Sequence, residues 1–224
     1  MSELKLGFAL EGNSDYPVIP CLARRVVEES FPEITFAPDS VLRPSKRGHG
    51  FIRELPTFAR QLQADNVNIV VAVVDTDATR VNERRQRLCQ ARQSCEERGV
   101  AVCIAQGLAV RSLEAWLLAD EAAILDVFDG DRSGVTFPSP EHEEAPKATL
   151  NHIVRVLTAG REVSFASYAE ELSRAIRLST LRRKCPQFDD FARNLVNCVR
   201  EWKRSGIELP ALAESQTKPD ISAH

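Results

Sequence analysis

Acidic residues fall where runs of apolar residues give out. Glu11 follows GFAL, Asp75 and Asp77 close VVAVVDTD, and Glu114 opens the EAWLL stretch shortly after VAVCIAQ. Carboxylates gathered in one place repel one another, so they either hold protons or share a cation. A set with oxygen donors only, without a matching His or Cys cluster, suits Mg2+ or Mn2+ rather than a softer metal. Such an ion polarises a phosphodiester and neutralises developing charge. A carboxylate left over, here Glu11, can then serve as general acid or base. The expected metal set is Asp75, Asp77, Glu11 and Glu114, with Glu11 catalytic.

Two basic stretches could receive the phosphate. SKRGHG (45–50) places Lys46, Arg47 and His49 among glycines that let backbone approach a ligand. The segment after DTD carries Arg80, Arg84, Arg85 and Arg87. Lys46, Arg47, His49, Arg80 and Arg84 are therefore expected to touch substrate, together with Gly12 and Asp15 in the EGNSD turn. Aromatic residues are 6% of the chain and do not interleave with the basic ones, so base stacking is not suggested.

Plainer readings stand beside these. Asp75 or Asp77 could cap a helix, and Glu114 could be a favourable charge in a first helical turn. Glu11 could be an ordinary turn residue. The arginines could form a solvated face with pairs such as Glu83 and Arg87. Each acid alone is weak evidence; their joint placement at strand ends is the stronger signal. DTDAT also resembles the first motif of haloacid-dehalogenase-like phosphatases, in which Asp75 would be the nucleophile and Asp77 the acid/base. That family expects partner motifs on later strands, whereas Asp189 and Asp190 sit in a helical pattern.

The elements that must position these residues follow from periodicity. KLGFAL reads as a first strand, 16–30 as a helix, 33–38 as a second strand and 51–64 as a helix interrupted by Pro56. NVNIVVAVVD (66–75) is a strand apolar on both faces, the mark of a parallel sheet. Then come a helix over 81–99 ending at Gly99, a strand over 100–106 and a long amphipathic helix over 112–128. In that helix Leu113, Trp116, Leu117, Ile124 and Phe128 form a stripe expected to lie in the core. Alternating strands and helices imply a mainly parallel α/β sheet flanked by helices. All strand C-termini then share one edge, and residues a hundred positions apart can meet there. Beyond a polar stretch over 129–146 only helical periods follow, so the expected organisation is an α/β catalytic domain (1–130), a helical C-terminal extension packed on it (131–210) and a polar tail (211–224).

With 224 residues, 43% hydrophobic and 27% charged, the chain has the balance of a soluble globular protein. A net charge of −3 means that any nucleic-acid surface is local. No apolar run reaches the length of a membrane span, and a cytoplasmic location is expected. The six cysteines lack metal-ligand spacing and are expected to be reduced thiols. Phosphate-binding P-loop, dinucleotide-binding and nucleophile-elbow signatures are absent from the sequence.

GFALEGNSD (7–15) and VVAVVDTD (70–77) together resemble the TOPRIM domain of topoisomerases, primases, ribosomal-RNA maturases and OLD-family nucleases. The resemblance implies a compact α/β fold, Glu11 as general acid or base, and Asp75 and Asp77 as Mg2+ ligands. SLEAWLLAD, APKATL and KCPQFDDFARNL resemble a narrower family of small bacterial TOPRIM-like proteins of unknown function. That likeness implies Glu114 as a further acidic site residue, a nucleic-acid substrate, and an ATPase partner of the ABC or SMC type in phage-defence or mobile-element loci. Many TOPRIM enzymes carry further acids or a lysine downstream; Asp120 and Lys147 are the candidates here. Some TOPRIM domains are catalytically silent binding modules, so a regulatory subunit of an ATPase is the alternative function.

Overall fold

A computed structural model describes residues 3–43 and 48–206. The strands β1 (Leu6–Leu10), β2 (Ser40–Leu42), β3 (Ile69–Thr76) and β4 (Cys103–Val110) form one sheet in the order β2-β1-β3-β4, parallel throughout. The chain steps from β1 outward to β2, then returns past β1 to β3. Strand order therefore reverses between β1 and β3, and the crevice above their C-terminal ends is the switch point of the sheet.

The reversal also decides which face each helix covers. Helix α1 (Ile19–Ser30) packs on one face, with Leu6, Phe8, Leu10, Val71 and Val73 beneath it. Helices α2 (His49–Ala64) and α3 (Val81–Glu97) cover the other, over Ala9, Val70, Ala72, Val74, Ile104 and Leu108. Successive side chains of a strand point to opposite faces, so covering both makes β3 apolar without a break.

Several boundaries differ from the expectation. The second strand is not 33–38. Phe36 forms only an isolated parallel bridge with Leu4, and β2 begins at Ser40. Pro38 lacks the N–H a ladder requires, which accounts for the gap. Pro56 does not interrupt α2; it is buried inside a continuous helix. The fourth strand runs from Cys103 to Val110 rather than over 100–106. It continues through Gly107, where a Cβ would meet the Phe191 ring at 3.0 Å and Val73 Cγ2 at 3.1 Å. The glycine marks a close approach of a helix to the strand, not a strand end.

The expected long helix is two short ones, α4 (Glu114–Leu117) and α5 (Glu121–Val127). The break falls at Asp120, which is buried and accepts hydrogen bonds from Arg177 N (2.9 Å), Nε (2.8 Å) and Nη2 (2.6 Å). Leu113, Trp116, Leu117 and Ile124 of the expected stripe are buried and Phe128 is partly buried, with Trp116 packed against the rings of Phe188 and Phe191.

The C-terminal half contains α6 (Pro146–Leu157), α7 (Phe165–Ala175), α8 (Leu178–Lys184) and α9 (Pro186–Ser205). These helices share one core with the α1 face of the sheet, through Leu150, Leu172, Leu181, Phe188 and Phe191. Helix α9 lies along β4, where Asn194 Nδ2 donates to Gln106 O at 3.1 Å. Cys103 and Cys198 are disulfide-bonded across this contact, against the expectation of reduced thiols; Cys21, Cys89, Cys95 and Cys185 are free. The pairing joins residues 95 apart in sequence, and only their tertiary approach, 5.6 Å between Cα atoms, brings it about. No helix among the described residues is long and apolar enough to cross a membrane.

Candidate active site at the switch point

The turn after β1 is held by Asp15. Its Oδ2 accepts from Gly12 N at 2.9 Å, and its carbonyl accepts from Ile19 N at 2.8 Å, joining the strand end to α1. Glu11 comes off β1 on the side of Ala9, toward α2, and its Oε1 accepts from Gly48 N at 2.7 Å. Gly48 caps α2 at φ +56°, a conformation that favours glycine.

Asp75 ends β3 on the other face, that of Val71 and Val73. Arg111, itself at φ +66°, donates its N–H to Thr76 O at 2.6 Å and so turns the chain over the strand end. The next turn brings Leu113 N–H to the Asp75 carboxylate and places Glu114 beside it. Glu114 is buried at 5% exposure, and Lys147 Nζ stands 4.0 Å from its Oε1.

These carboxylates act on one another. Desolvation first, then the charges of Asp15, Glu11 and Glu114, push Asp75 up to about 8, against a weaker pull downward from the Leu113 N–H. Asp75 keeps an exposed surface. Water therefore screens part of the effect, and the neighbouring like charges are the firmer reason for its direction. A carboxyl that holds a proton at neutral pH beside further carboxylates is a place where a hard cation can take the proton's position.

The expected residues divide accordingly. Asp75, Glu11 and Glu114 meet at the crevice, and Asp15, expected to touch substrate, joins them as the leading neighbouring charge on Asp75. Asp77 does not join them. It opens a single 3-10 turn over Ala78–Arg80 without a side-chain cap, is 74% exposed, and lies 3.9 Å from Arg80 Nε. Its charge is not among the leading ones on Asp75. Arg80 is accordingly directed to Asp77. Asp120, itself buried, is paired with Arg177 and does not belong to the crevice, while Lys147 stands at the margin of the crevice beside Glu114. Asp189 and Asp190 lie on α9, paired with Arg193 and Arg85, which leaves the phosphatase motif without its acidic partner on a strand.

Among the basic residues, Lys46 and Arg47 lie outside the described residues. Arg84 packs against Gly48, with Nη2 3.4 Å from where a Cβ would stand. Its Nε and Nη1 are buried without a hydrogen-bond partner among the described residues. His49 contacts Arg87 through Nδ1. Lost hydration, then the charges of Arg84 and Arg87, hold it below the usual imidazole range, so it is neutral at pH 7. Sequence reasoning missed the Leu113 N–H, since a backbone donor carries no side-chain signal. It also missed Gly48 as the link between Glu11 and α2, although its place in SKRGHG was visible.

Among the described residues no group of three or more His, Cys, Asp or Glu side chains is close enough to enclose a metal ion. The donors present fit an ion that takes one or two carboxylates and keeps several waters, as Mg2+ does, rather than one needing a full protein cage.

The molecule is thus an open α/β protein with a carboxylate-lined crevice at the switch point of its sheet and basic side chains on the adjoining helices. It belongs to the family described as domain of unknown function (DUF4276), whose model matches residues 10–196, from the end of β1 into α9. No curated protein and no solved structure matches the chain.

Proposed function

We propose that this chain is a phosphoryl-transfer enzyme of the TOPRIM type that cleaves nucleic acid with Mg2+ or Mn2+. The observation that carries the reading is that the charges of Asp15, Glu11 and Glu114 all act on Asp75 at the sheet's switch point. Asp75 and Glu11 would hold the ion, with Asp15 and Glu114 supplying negative charge around it. When bound, the ion would supply charge neutralisation on a phosphodiester oxygen. Glu11 reaches the crevice on a fixed backbone donor, Gly48 N, which orients its carboxylate to move a proton at the attacking or leaving oxygen. Arg84 lies beside Gly48 with Nε and Nη1 lacking a hydrogen-bond partner among the described residues, and its guanidinium would receive a phosphate oxygen. The likeness of GFALEG and VVAVVDTD to TOPRIM motifs supports the same assignment, and with it an ATPase partner of the ABC or SMC type in a defence or mobile-element setting.

The test incubates wild type, Glu11→Gln and Asp75→Asn with supercoiled plasmid, linear DNA, RNA and a phosphomonoester, in Mg2+ or Mn2+, with and without a candidate ATPase of the ABC or SMC type. Wild type should cleave a polynucleotide. Each variant should lose at least about a hundredfold in rate, the scale of a lost proton-transfer group, with an unchanged thermal unfolding profile for Glu11→Gln. Trapping of an aspartyl-phosphate on Asp75 would establish a phosphatase instead. Metal binding without any cleavage, partner present, would establish a silent binding module.

A further inference from the structure

Helices α2 and α3 face each other across a groove of about 490 Å³ that begins at His49, next to the crevice, and ends at Arg98. On α2, His49, Arg53 and Arg60 fall at i, i+4 and i+11, which places them on one side of a helix. On α3, Arg84, Arg87, Ala91, Ser94 and Arg98 repeat at alternating steps of three and four, again one side. Arg53 on the α2 wall and Arg87 and Arg98 on the α3 wall line the groove, with Arg60 and Arg84 on the same helix sides beyond its lining, while Gly50, Ala91 and Ser94 keep the floor low. Few acids oppose them: Glu83 pairs with Arg87 at 2.8 Å, at the upper end. Arg60 Nη2 donates to Arg98 O at 3.1 Å and ties the lower ends of the two helices together.

Two observations point to an anionic occupant. Buried polar groups in folded proteins have partners, yet Arg84 Nε and Nη1, beside the head of the groove, have none among the described residues. Lost hydration first, then the charges of Arg84 and Arg87, hold His49 below the usual imidazole range, and Glu83 offsets them only in part. The chain as a whole is acidic at −3, so this concentration of positive charge is local.

We propose that the α2/α3 groove is a track for the phosphodiester backbone of a polynucleotide, leading one strand away from the crevice. Arg84 takes the phosphate nearest the carboxylates, and Arg53, Arg60, Arg87 and Arg98 take those that follow. From Arg84 to Arg98 the helix rises about 21 Å, the length of roughly six nucleotides of a duplex strand. Contacts to phosphate alone carry no base information, so the track positions a strand without selecting its sequence. The proposal rests on the nuclease reading for its substrate class and adds to it a binding surface outside the reacting site.

The experiment measures fluorescence anisotropy of labelled DNA and RNA oligonucleotides of 4 and 12 nucleotides, on an Asp75→Asn chain in which cleavage is off. Affinity should rise steeply from the 4-mer to the 12-mer. Reversing Arg53 and Arg98 to Glu should weaken 12-mer binding by about tenfold or more and lower the salt slope by about 2. Reversing Arg92 and Arg200, an equal change of charge outside the groove, should leave binding nearly unchanged; circular dichroism and melting verify that every variant folds. Equal loss in both double variants overturns the track in favour of general charge attraction. Equal affinity for the two lengths overturns it in favour of a single-phosphate seat. If wild type cleaves a polynucleotide while the Arg53/Arg98 variant binds undiminished, the track falls and the crevice stands. If the groove binds the 12-mer but wild type cleaves nothing, the track stands and the nuclease reading falls. Absence of all polynucleotide binding overturns both.

Discussion

Replacing Asp75 by Asn should stabilise the metal-free protein at neutral pH while removing its response to metal. In the folded chain Asp75 holds its proton up to about 8, first because of desolvation and then because of Asp15, Glu11 and Glu114. In the unfolded chain it ionises near pH 4. At pH 7 the folded state therefore binds a proton that the unfolded state has released, and folding bears the difference. Taken at face value, about three pH units at roughly 1.4 kcal/mol each give a ceiling near 4 kcal/mol. Asp75 is partly open to solvent, which screens the repulsion and reduces the figure to about 1–2 kcal/mol. The sign follows from the raised value. This contribution to stability is fully present below about pH 4, declines as pH rises, and is lost once pH passes about 8. Asn cannot ionise, yet still accepts from Leu113 N–H, so the variant should lack that decline. For a chain of this size the gain at pH 7 corresponds to about 2–8 °C in Tm. Thermal melts of both proteins from pH 4 to 9, with EDTA and with millimolar Mg2+ or Mn2+, provide the assay. Wild type should gain stability on adding metal and Asp75→Asn should not. A variant less stable than wild type at pH 7 in EDTA, or two parallel pH profiles, would refute the placement of these charges around Asp75.

Other substitutions probe the frame that holds the crevice. Arg177→Ala leaves Asp120 buried without its partner at the break between α4 and α5. It should destabilise the fold at neutral pH, measured by urea denaturation, although the backbone N–H of residue 177 still reaches Asp120, and part of the loss should be recovered in the Asp120→Asn double variant. Gly107→Ala drives a Cβ to within 3.0 Å of the Phe191 ring and should cost about 1–3 kcal/mol by forcing α9 away from β4. Both changes lie outside the carboxylate set, so metal-induced stabilisation should persist in whatever fraction of each variant folds.

The contrast between β3 and β4 explains what could be read in advance. The run VVAVVD announced a strand covered on both sides, because a segment apolar at every position has no face to offer water. Its position between β1 and β4 fits that reading. In AQGLAV the same pattern is interrupted by Gln106 and Gly107, and the strand looked finished. The interruption has a tertiary cause, since Gly107 makes room for Phe191, which arrives from 84 positions further along the chain. The break in the expected long helix has the same kind of origin: Asp120 is drawn to Arg177, a partner no local pattern reveals.

In the site itself, residue types and strand-end positions were legible for Glu11, Asp75 and Glu114, because a parallel sheet delivers every strand C-terminus to one edge. What local pattern could not rank was Asp77 against Asp15. Both follow a strand in a short turn, yet one faces solvent and Arg80 while the other folds back to Gly12 beside Asp75. The α2/α3 groove shows the same division. The arginines were plain in the sequence. That Arg53 and Arg98 stand on facing walls depends on how two helices pack over the sheet.

The sequence by itself determined the class of fold, its alternation of strand and helix, and the carboxylates at strand ends, since these depend on periodicities local to the chain. Tertiary structure alone decided the strand order, the face from which each acid enters, the Cys103–Cys198 pairing and the packing of Arg84 against Gly48. Those features are set by contacts between residues far apart in sequence, and the energies that choose among such contacts belong to the packed molecule.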